Sequence, residues 1–411
     1  MYEQSASNVI KDLRELQALT ADQDGAHRVA WGPVWQKARD WYRQKAEEIG
    51  ASLEIDSAGN VWTKLQGEDP SLPALVLGSH LDSVPNGGWL DGALGVLVGL
   101  EALRRIAQSG KKPKRTIYVV DFADEEAARY GHSCLGSTAV AGKFELEGML
   151  GRVDHDGVKF EDALAAYGVD VYKMNDAHQE MLERNLGEYV EMHIEQGPVL
   201  EQTGKAISCV YGACGVERHE IIFTGQADHA GSTPTELRRD AFLAAAESAI
   251  AFREIARKYD AVCTVGEVSV EPDVVTIVPG KCRITLDQRT IDPKDLQAMY
   301  EQAQAESKKA AEANGCTVEW KEIYTVAPQL FDDELIELCK EAVEDETGEP
   351  TNMYSGPLHD AVEMAKVVPT VMMFVMSIEG ISHAKEEDTP EDKIAVGVKA
   401  YQRLVDKLLA R

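Results

Sequence analysis

Three of the chain's ten histidines sit in short segments crowded with carboxylates. Gly78-Ser79-His80-Leu81-Asp82 sets a histidine two residues before an aspartate. His80 is of a type that ligates metals, and Asp82 could accept its other ring N–H and fix the tautomer. Gly87-Gly88-Trp89-Leu90-Asp91-Gly92 ends in an aspartate that is either a helix cap or a ligand. Asp124-Glu125-Glu126 stacks carboxylates that are costly to bury without partners. One could ligate a cation while its neighbour handles a proton, or the run could be a solvated helix start. Glu191-Met192-His193-Ile194-Glu195-Gln196 puts Glu191 and His193 on one face of a strand. Gly380-Ile381-Ser382-His383 supplies the third histidine. Histidine with carboxylate suits zinc, and also manganese, cobalt or nickel. A carboxylate shared between two ions fits a two-metal hydrolase.

The elements around these segments explain how they could meet. Ser5–Gln17 and Gly32–Ile49 carry apolar residues at helical spacing. Ser52–Lys64 reads as a hairpin turning at Ala58-Gly59-Asn60. Ala74–Gly78, Thr116–Phe122, Tyr189–Ile194 and Val371–Val375 read as buried strands, and Ala93–Gln108, Glu334–Glu344 and Asp392–Leu409 as helices. This alternation predicts an α/β fold with a mostly parallel sheet. Each chemical segment then falls in a loop at a strand's C-terminal end, the edge where such sheets bind ligands.

Residues 212–322 break the style. Glu217–Thr224, Arg239–Tyr259, Cys263–Val270, Arg283–Arg289, Pro293–Gly315 and Thr317–Ile323 run strand, helix, strand, strand, helix, strand. That is a ferredoxin-like α+β order. A unit of about 110 residues suits a domain inserted into the first. The expected division is a discontinuous catalytic domain, 1–211 with 323–411, around an inserted domain, 212–322.

Composition narrows the partners. Lys+Arg number 42 against 70 Asp+Glu, a net charge of −28, so neither nucleic acid nor an anionic membrane is an expected partner. The polar N-terminus lacks a signal-peptide pattern, which suggests a cytoplasmic protein. Seven cysteines without a C-x-x-C pair read as reduced, buried thiols.

Seven segments together carry a resemblance. They are G-S-H-L-D-S-V-P-N-G-G-W-L-D-G (78–92), D-E-E-A-A-R-Y (124–130), H-I-E-Q-G-P-V-L-E (193–201), G-Q-A-D-H-A-G-S-T-P (225–234), V-P-G-K-C-R-I-T-L-D-Q-R (278–289), S-G-P-L-H-D-A (355–361) and G-I-S-H (380–383). In this order they resemble the amidohydrolases that cleave N-carbamoyl-L-amino acids, N-carbamoyl-β-alanine and allantoate. These form a branch of the di-metal aminoacylase and carboxypeptidase superfamily. The resemblance implies a di-metal peptidase-like catalytic domain with an inserted lid and dimerisation domain. It implies two divalent ions per subunit, zinc first, bridged by Asp91. His80 and His193 would complete one ion's ligands, and Glu126 and His383 the other's. Glu125 would be the general base, and His229 the oxyanion donor, reaching a neighbouring subunit of a homodimer formed by the inserted domains. Gln196 would meet the carbamoyl or amide end of the substrate, and Arg289 its carboxylate. His359 and Asp360 would line the cleft.

Three departures bear on the substrate. Thr276 stands where relatives carry an Asn that helps hold the carboxylate. Pro357-Leu358 replaces small residues and would reshape the pocket wall. Thr290 stands where allantoate hydrolases often have His. The expected substrate is therefore a small N-substituted amino acid, an N-carbamoyl-L-amino acid first. An N-acyl amino acid or allantoate is the alternative. A binding protein without catalysis would be expected to have lost ligands, and the ligand set is complete.

Overall fold

The computed structural model describes residues 2–411. The chain divides into two compact units. One runs to Gly212 and resumes over Phe331–Arg411, and the other is Ala213–Leu330.

In the first unit the strands lie in the order Ile207–Ala213, Thr370–Val375, Leu186–Ile194, Ala74–His80, Ile117–Phe122, Val61–Leu65, Ser52–Ile55. The four central strands from Thr370–Val375 to Ile117–Phe122 are mutually parallel, and the flanking ones are antiparallel. Ala74–His80 and Ile117–Phe122 are buried along their whole length, as apolar strands covered on both faces must be. One face packs on helices Tyr2–Thr20, Ala93–Gln108, Asp333–Thr347 and Glu391–Leu409 through Leu13, Leu97, Val343 and Leu404. The other packs on Leu135–Val140, Phe160–Ala166, Asp176–Glu183 and Asp360–Met364 through Leu135, Phe160, Met181 and Met364. Strand Ile207–Ala213 and the three short helices between residues 135 and 183 were not foreseen. They are too short for periodicity to separate from loop.

The second unit is an antiparallel sheet ordered Val262–Thr264, Lys281–Thr290, Gly215–Thr224, Thr317–Val326. Helices Ala241–Lys258 and Pro293–Ala313 join these strands in the ferredoxin-like sequence. Each begins on an aspartate. Asp240 accepts from the N–H groups of Phe242 and Leu243, and Asp292, followed by Pro293, accepts from those of Lys294 and Asp295. The strand expected over Cys263–Val270 is interrupted. Val262–Thr264 and Val268–Glu271 both pair with Lys281–Thr290, and between them Glu267 exchanges backbone and side-chain bonds with Thr285. The last strand continues to Val326, still paired with Val216. The second crossing therefore comes at Leu330, later than 322.

Gly78 sits inside a central strand at φ +149°. A Cβ there would stand 2.1 Å from the Val120 carbonyl oxygen of the neighbouring strand. Gly78→Ala must push two parallel strands apart, and we expect a loss of about 3 kcal/mol in the urea unfolding of the first unit. An unchanged midpoint would show that the sheet yields there.

Candidate metal centre

Convergence of parallel strands builds the site. His80 is the last residue of Ala74–His80, and His193 lies near the end of Leu186–Ile194. Glu125 and Glu126 follow Ile117–Phe122, and His383 lies in the loop after Thr370–Val375. Asp91 stands just before helix Ala93–Gln108. Gly92 joins it to that helix at φ +62°, and a Cβ there would meet the His80 ring at 2.4 Å. Only glycine lets the helix start this close to the imidazole.

Asp91 is 3% exposed and its two oxygens serve different neighbours. Oδ1 lies 3.1 Å from His193 Nε2 and 3.6 Å from His80 Nε2. Oδ2 lies 3.6 Å from His383 Nε2. His383 Nε2 is in turn 3.2 Å from Glu126 Oε2. Two groups result, His80–Asp91–His193 and Asp91–Glu126–His383, each with its ligand atoms within 4.8 Å of one another. Each offers imidazole nitrogen and carboxylate oxygen, a donor set that fits a divalent ion such as zinc or manganese.

The ring tautomers suit ligation. His80 Nδ1 donates to the Asp82 carbonyl at 3.2 Å, and His193 Nδ1 to the Ile194 carbonyl at 2.9 Å. A carbonyl can only accept, so both rings keep Nδ1 protonated and present Nε2, the atom free to ligate, toward Asp91. Asp82 was expected to orient His80 through its carboxylate. Its main-chain oxygen is the nearer partner and its Oδ1 lies 3.6 Å from the same Nδ1, while the carboxylate also accepts the N–H groups of Glu125 at 3.3 Å and Glu126 at 3.2 Å. Two backbone donors at the turn claim the charge, so Asp82 steers the glutamates as well as the histidine.

The electrostatics follow from dryness. Burial alone would raise the Asp91 carboxyl, but the His193, His80 and His383 rings outweigh it and hold it well below the usual range. Burial alone would lower the His80 ring, but Glu125, Asp82 and Asp91 hold it well above its ordinary value. Burial pushes Glu125 up to about 7, with His80 opposing and Asp82 and Asp91 adding. Glu125 Oε2 lies 3.7 Å from His80 Nε2, within reach of the cluster. Burial and Asp91 also carry Glu126 well above the ordinary glutamate range.

Gln196 donates from Nε2 to Asp91 Oδ2 at 2.9 Å and to Ser382 Oγ at 3.1 Å, so its amide lies against the cluster. His359 is buried, with its ring centroid 4.5 Å from that of His193, and its Nε2 bonds Ser355 Oγ. Burial and the His193 ring hold its pKa well below the ordinary value, so it stays neutral. Asp360, expected to line a cleft, is instead fully buried and accepts from the Ser137 hydroxyl at 2.5 Å. Leu358 is half-buried on the same loop.

His229, Thr276 and Arg289 belong to the second unit. Strand Asp228–His229 pairs with Ile277–Val278, and Ala230 N–H donates to the Thr276 carbonyl at 2.9 Å. His229 and Thr276 therefore form one exposed corner. His229 Nδ1 accepts the N–H groups of Gly231 and Ser232, so in the neutral ring Nε2 carries the proton. Arg289 does not join this corner. It stands at the far end of strand Lys281–Thr290, where Nε donates to Asp287 Oδ1 at 2.8 Å. Eight residues of strand make a separation of about 26 Å.

Sequence reading missed Glu387. It lies in the charged run Lys385–Asp388, which looks solvated, yet it is 1% exposed. Its Oε1 accepts the N–H groups of Leu90 and Asp91, both at 3.1 Å, and its Oε2 accepts the Ser382 hydroxyl at 3.0 Å. Ser382 also reaches Asp91 Oδ2 at 3.0 Å. Gly88 makes room, since a Cβ there would stand 2.1 Å from the Glu387 carboxyl. Glu387 thus ties the loop bearing His383 to the loop bearing Asp91.

Residues 76–407 match the family described as Peptidase family M20/M25/M40. The chain is 31% identical to the N-carbamoyl-L-amino-acid amidohydrolase of Paenarthrobacter aurescens, over 98% of both chains. It is 34% identical to the ureidoglycolate hydrolase of Oryza sativa subsp. japonica, over 93% of this chain and 80% of that one. Among solved structures, an amidase of the hydantoinase/carbamoylase family from Burkholderia multivorans superposes with a TM-score of 0.90 at 32% identity, covering 99% of this chain and 98% of that one.

Replacing Glu387 by Ala should leave the fold intact but loosen both loops. Retention of divalent ions against a chelator should weaken about 10- to 100-fold, read as metal content after dialysis. Parental retention would mean the loops hold their geometry without it.

Proposed function

Because the chain belongs to peptidase family M20/M25/M40, we propose that its two histidine–carboxylate groups hold a pair of divalent ions and hydrolyse an N-carbamoyl-L-amino acid. It is an amidohydrolase acting on C–N bonds of linear amides, in line with near-full-length relatives named N-carbamoyl-L-amino-acid amidohydrolase and hydantoinase/carbamoylase family amidase. The observation that carries the two-ion reading is Asp91, one oxygen toward each group. His80 and His193 would hold one ion and Glu126 and His383 the other. Such ions, when bound, acidify water and polarise a carbonyl.

The residues of the chain do the rest. The Glu125 carboxylate accepts the proton of the attacking water and hands it to the departing nitrogen. Gln196 turns its amide from Asp91 to the ureido end of the substrate. Arg289, its guanidinium plane set by Asp287, takes the substrate carboxylate through its planar fork. His229 offers Nε2–H to the developing oxyanion.

His229 and Arg289 serve one substrate in a homodimer formed by the inserted units. In this reading the His229–Thr276 corner and Arg289 that meet one substrate come from different subunits. The separation along Lys281–Thr290 supports this, since one chain cannot bring both strand ends to a small molecule. Exposed Phe242, Leu243 and Ile250 on helix Ala241–Lys258 give the unit an apolar face for such contact. Zinc or manganese as the resident ion and a cytoplasmic setting belong to the same reading. No helix among the described residues is long and apolar enough to cross a membrane.

The test is a panel of N-carbamoyl-L-amino acids, N-acyl amino acids, ureidoglycolate and allantoate. Ammonia should be released fastest from an N-carbamoyl-L-amino acid, and chelation should abolish turnover. Release of the acyl acid without ammonia would move the assignment to an aminoacylase. Glu125→Gln should lower kcat at least about 100-fold. Mixed dimers of His229→Ala and Glu125→Gln subunits should regain activity from one intact site. Silence in verified heterodimers would refute the shared site.

A further inference from the structure

The segment after the paired glutamates folds back at Cys134 and closes on them. Cys134 N–H donates to the Glu125 carbonyl at 2.8 Å, Leu135 N–H to that of Asp124 at 3.1 Å, and Gly136 N–H to that of Ala123 at 2.9 Å. Cys134 itself has φ +54°, a left-handed conformation uncommon outside glycine. It is 4% exposed. Its Sγ lies 3.4 Å from Glu125 Oε1. The other carboxylate oxygen, Oε2, is the one that faces His80 Nε2.

A glutamate carboxylate turns easily about its last torsion, which is broad and two-fold. In a buried site with carboxylates and imidazoles on several sides, an unrestrained carboxylate would sample wrong orientations. We propose that Cys134 is a positioning residue whose S–H holds Glu125 Oε1, so that Oε2 is the oxygen presented to the reacting water. The inference rests on the reading of Glu125 as the general base. Burial, with Glu125 beside it, pushes the Cys134 thiol well above its ordinary pKa, so it remains a donor. A thiol is a weak donor. It restrains the carboxylate without engaging the basic oxygen, and the rigid backbone zipper sets the sulfur's position.

Two variants and one spectrum test this. On the compound of the panel that turns over fastest, Cys134→Ala should lower kcat about five- to tenfold, the scale of one ordinary hydrogen bond lost. KM should stay within about twofold and metal content unchanged. Cys134→Ser restores a donor at the same place and should recover most of the loss. In the metal-free protein, the S–H stretching band missing from Cys134→Ala should shift to higher frequency in Glu125→Gln, where a neutral amide replaces the carboxylate acceptor. This readout needs no turnover and leaves the cysteine in place. Parental kcat in Cys134→Ala, a Ser variant as slow as the Ala variant with its metal retained, or a band indifferent to Glu125→Gln would each overturn the proposal. An active Glu125→Gln enzyme would remove the base itself. An inactive one beside a fully active Cys134→Ala would remove only the role of the thiol.

Discussion

A single dry carboxylate divided between two sets of imidazoles organises this protein. Asp91 has one oxygen toward His193 and His80 and the other toward His383. Buried charge persists only where opposite charge or hydrogen bonds surround it. Three strand ends and a helix start must therefore meet within a few ångströms. Gly92 lets the helix approach the His80 ring, Gly88 makes room for Glu387, and Glu387 clasps the two loops. In a chain of net charge −28, Asp82, Asp91, Glu125, Glu126 and Glu387 gather in one place. Histidine rings and the fully buried Arg28, whose Nε bonds the Leu81 carbonyl, counter them in part. Divalent ions would complete the balance.

Much of the fold was legible because apolar periodicity is a local property. Helix Ala93–Gln108 has the bounds expected, since apolar residues fill it to its polar end. The central strands are short apolar runs with loops on both sides, and they pair in parallel as the alternation with helices requires. The ferredoxin-like order of the second unit followed from the same signals. Strand Ile207–Ala213 and the short helices around Leu135, Phe160 and Asp176 did not, because packing against the sheet stabilises them more than their own pattern does.

The candidate ligands were legible from residue type and strand-end position. Their supporting shell was not. Glu387 stands in a run of charges that looks solvated, and Cys134 looked like any buried thiol. Asp82 was expected beside His80, and its bonds to the Glu125 and Glu126 N–H groups were not. Asp360 sits in a segment expected to line a cleft, and the structure turns it into the interior against Ser137. Each of these depends on which atom a fold brings near another across a wide sequence gap, and no local pattern records that.

Thr276 and Arg289 show the division most clearly. The family resemblance made both candidates for one carboxylate pocket, yet the strand Lys281–Thr290 keeps them at opposite ends of one unit. The sequence by itself determined the donor types, the strand-end setting of the ligands and the order of elements, because composition and periodicity act over a few residues. Tertiary structure alone decided which carboxylate oxygen faces which imidazole, which acid is buried, and which residues share a corner. Those relations come from packing distant segments at fixed distance, and burial then fixes the charge that each group can carry.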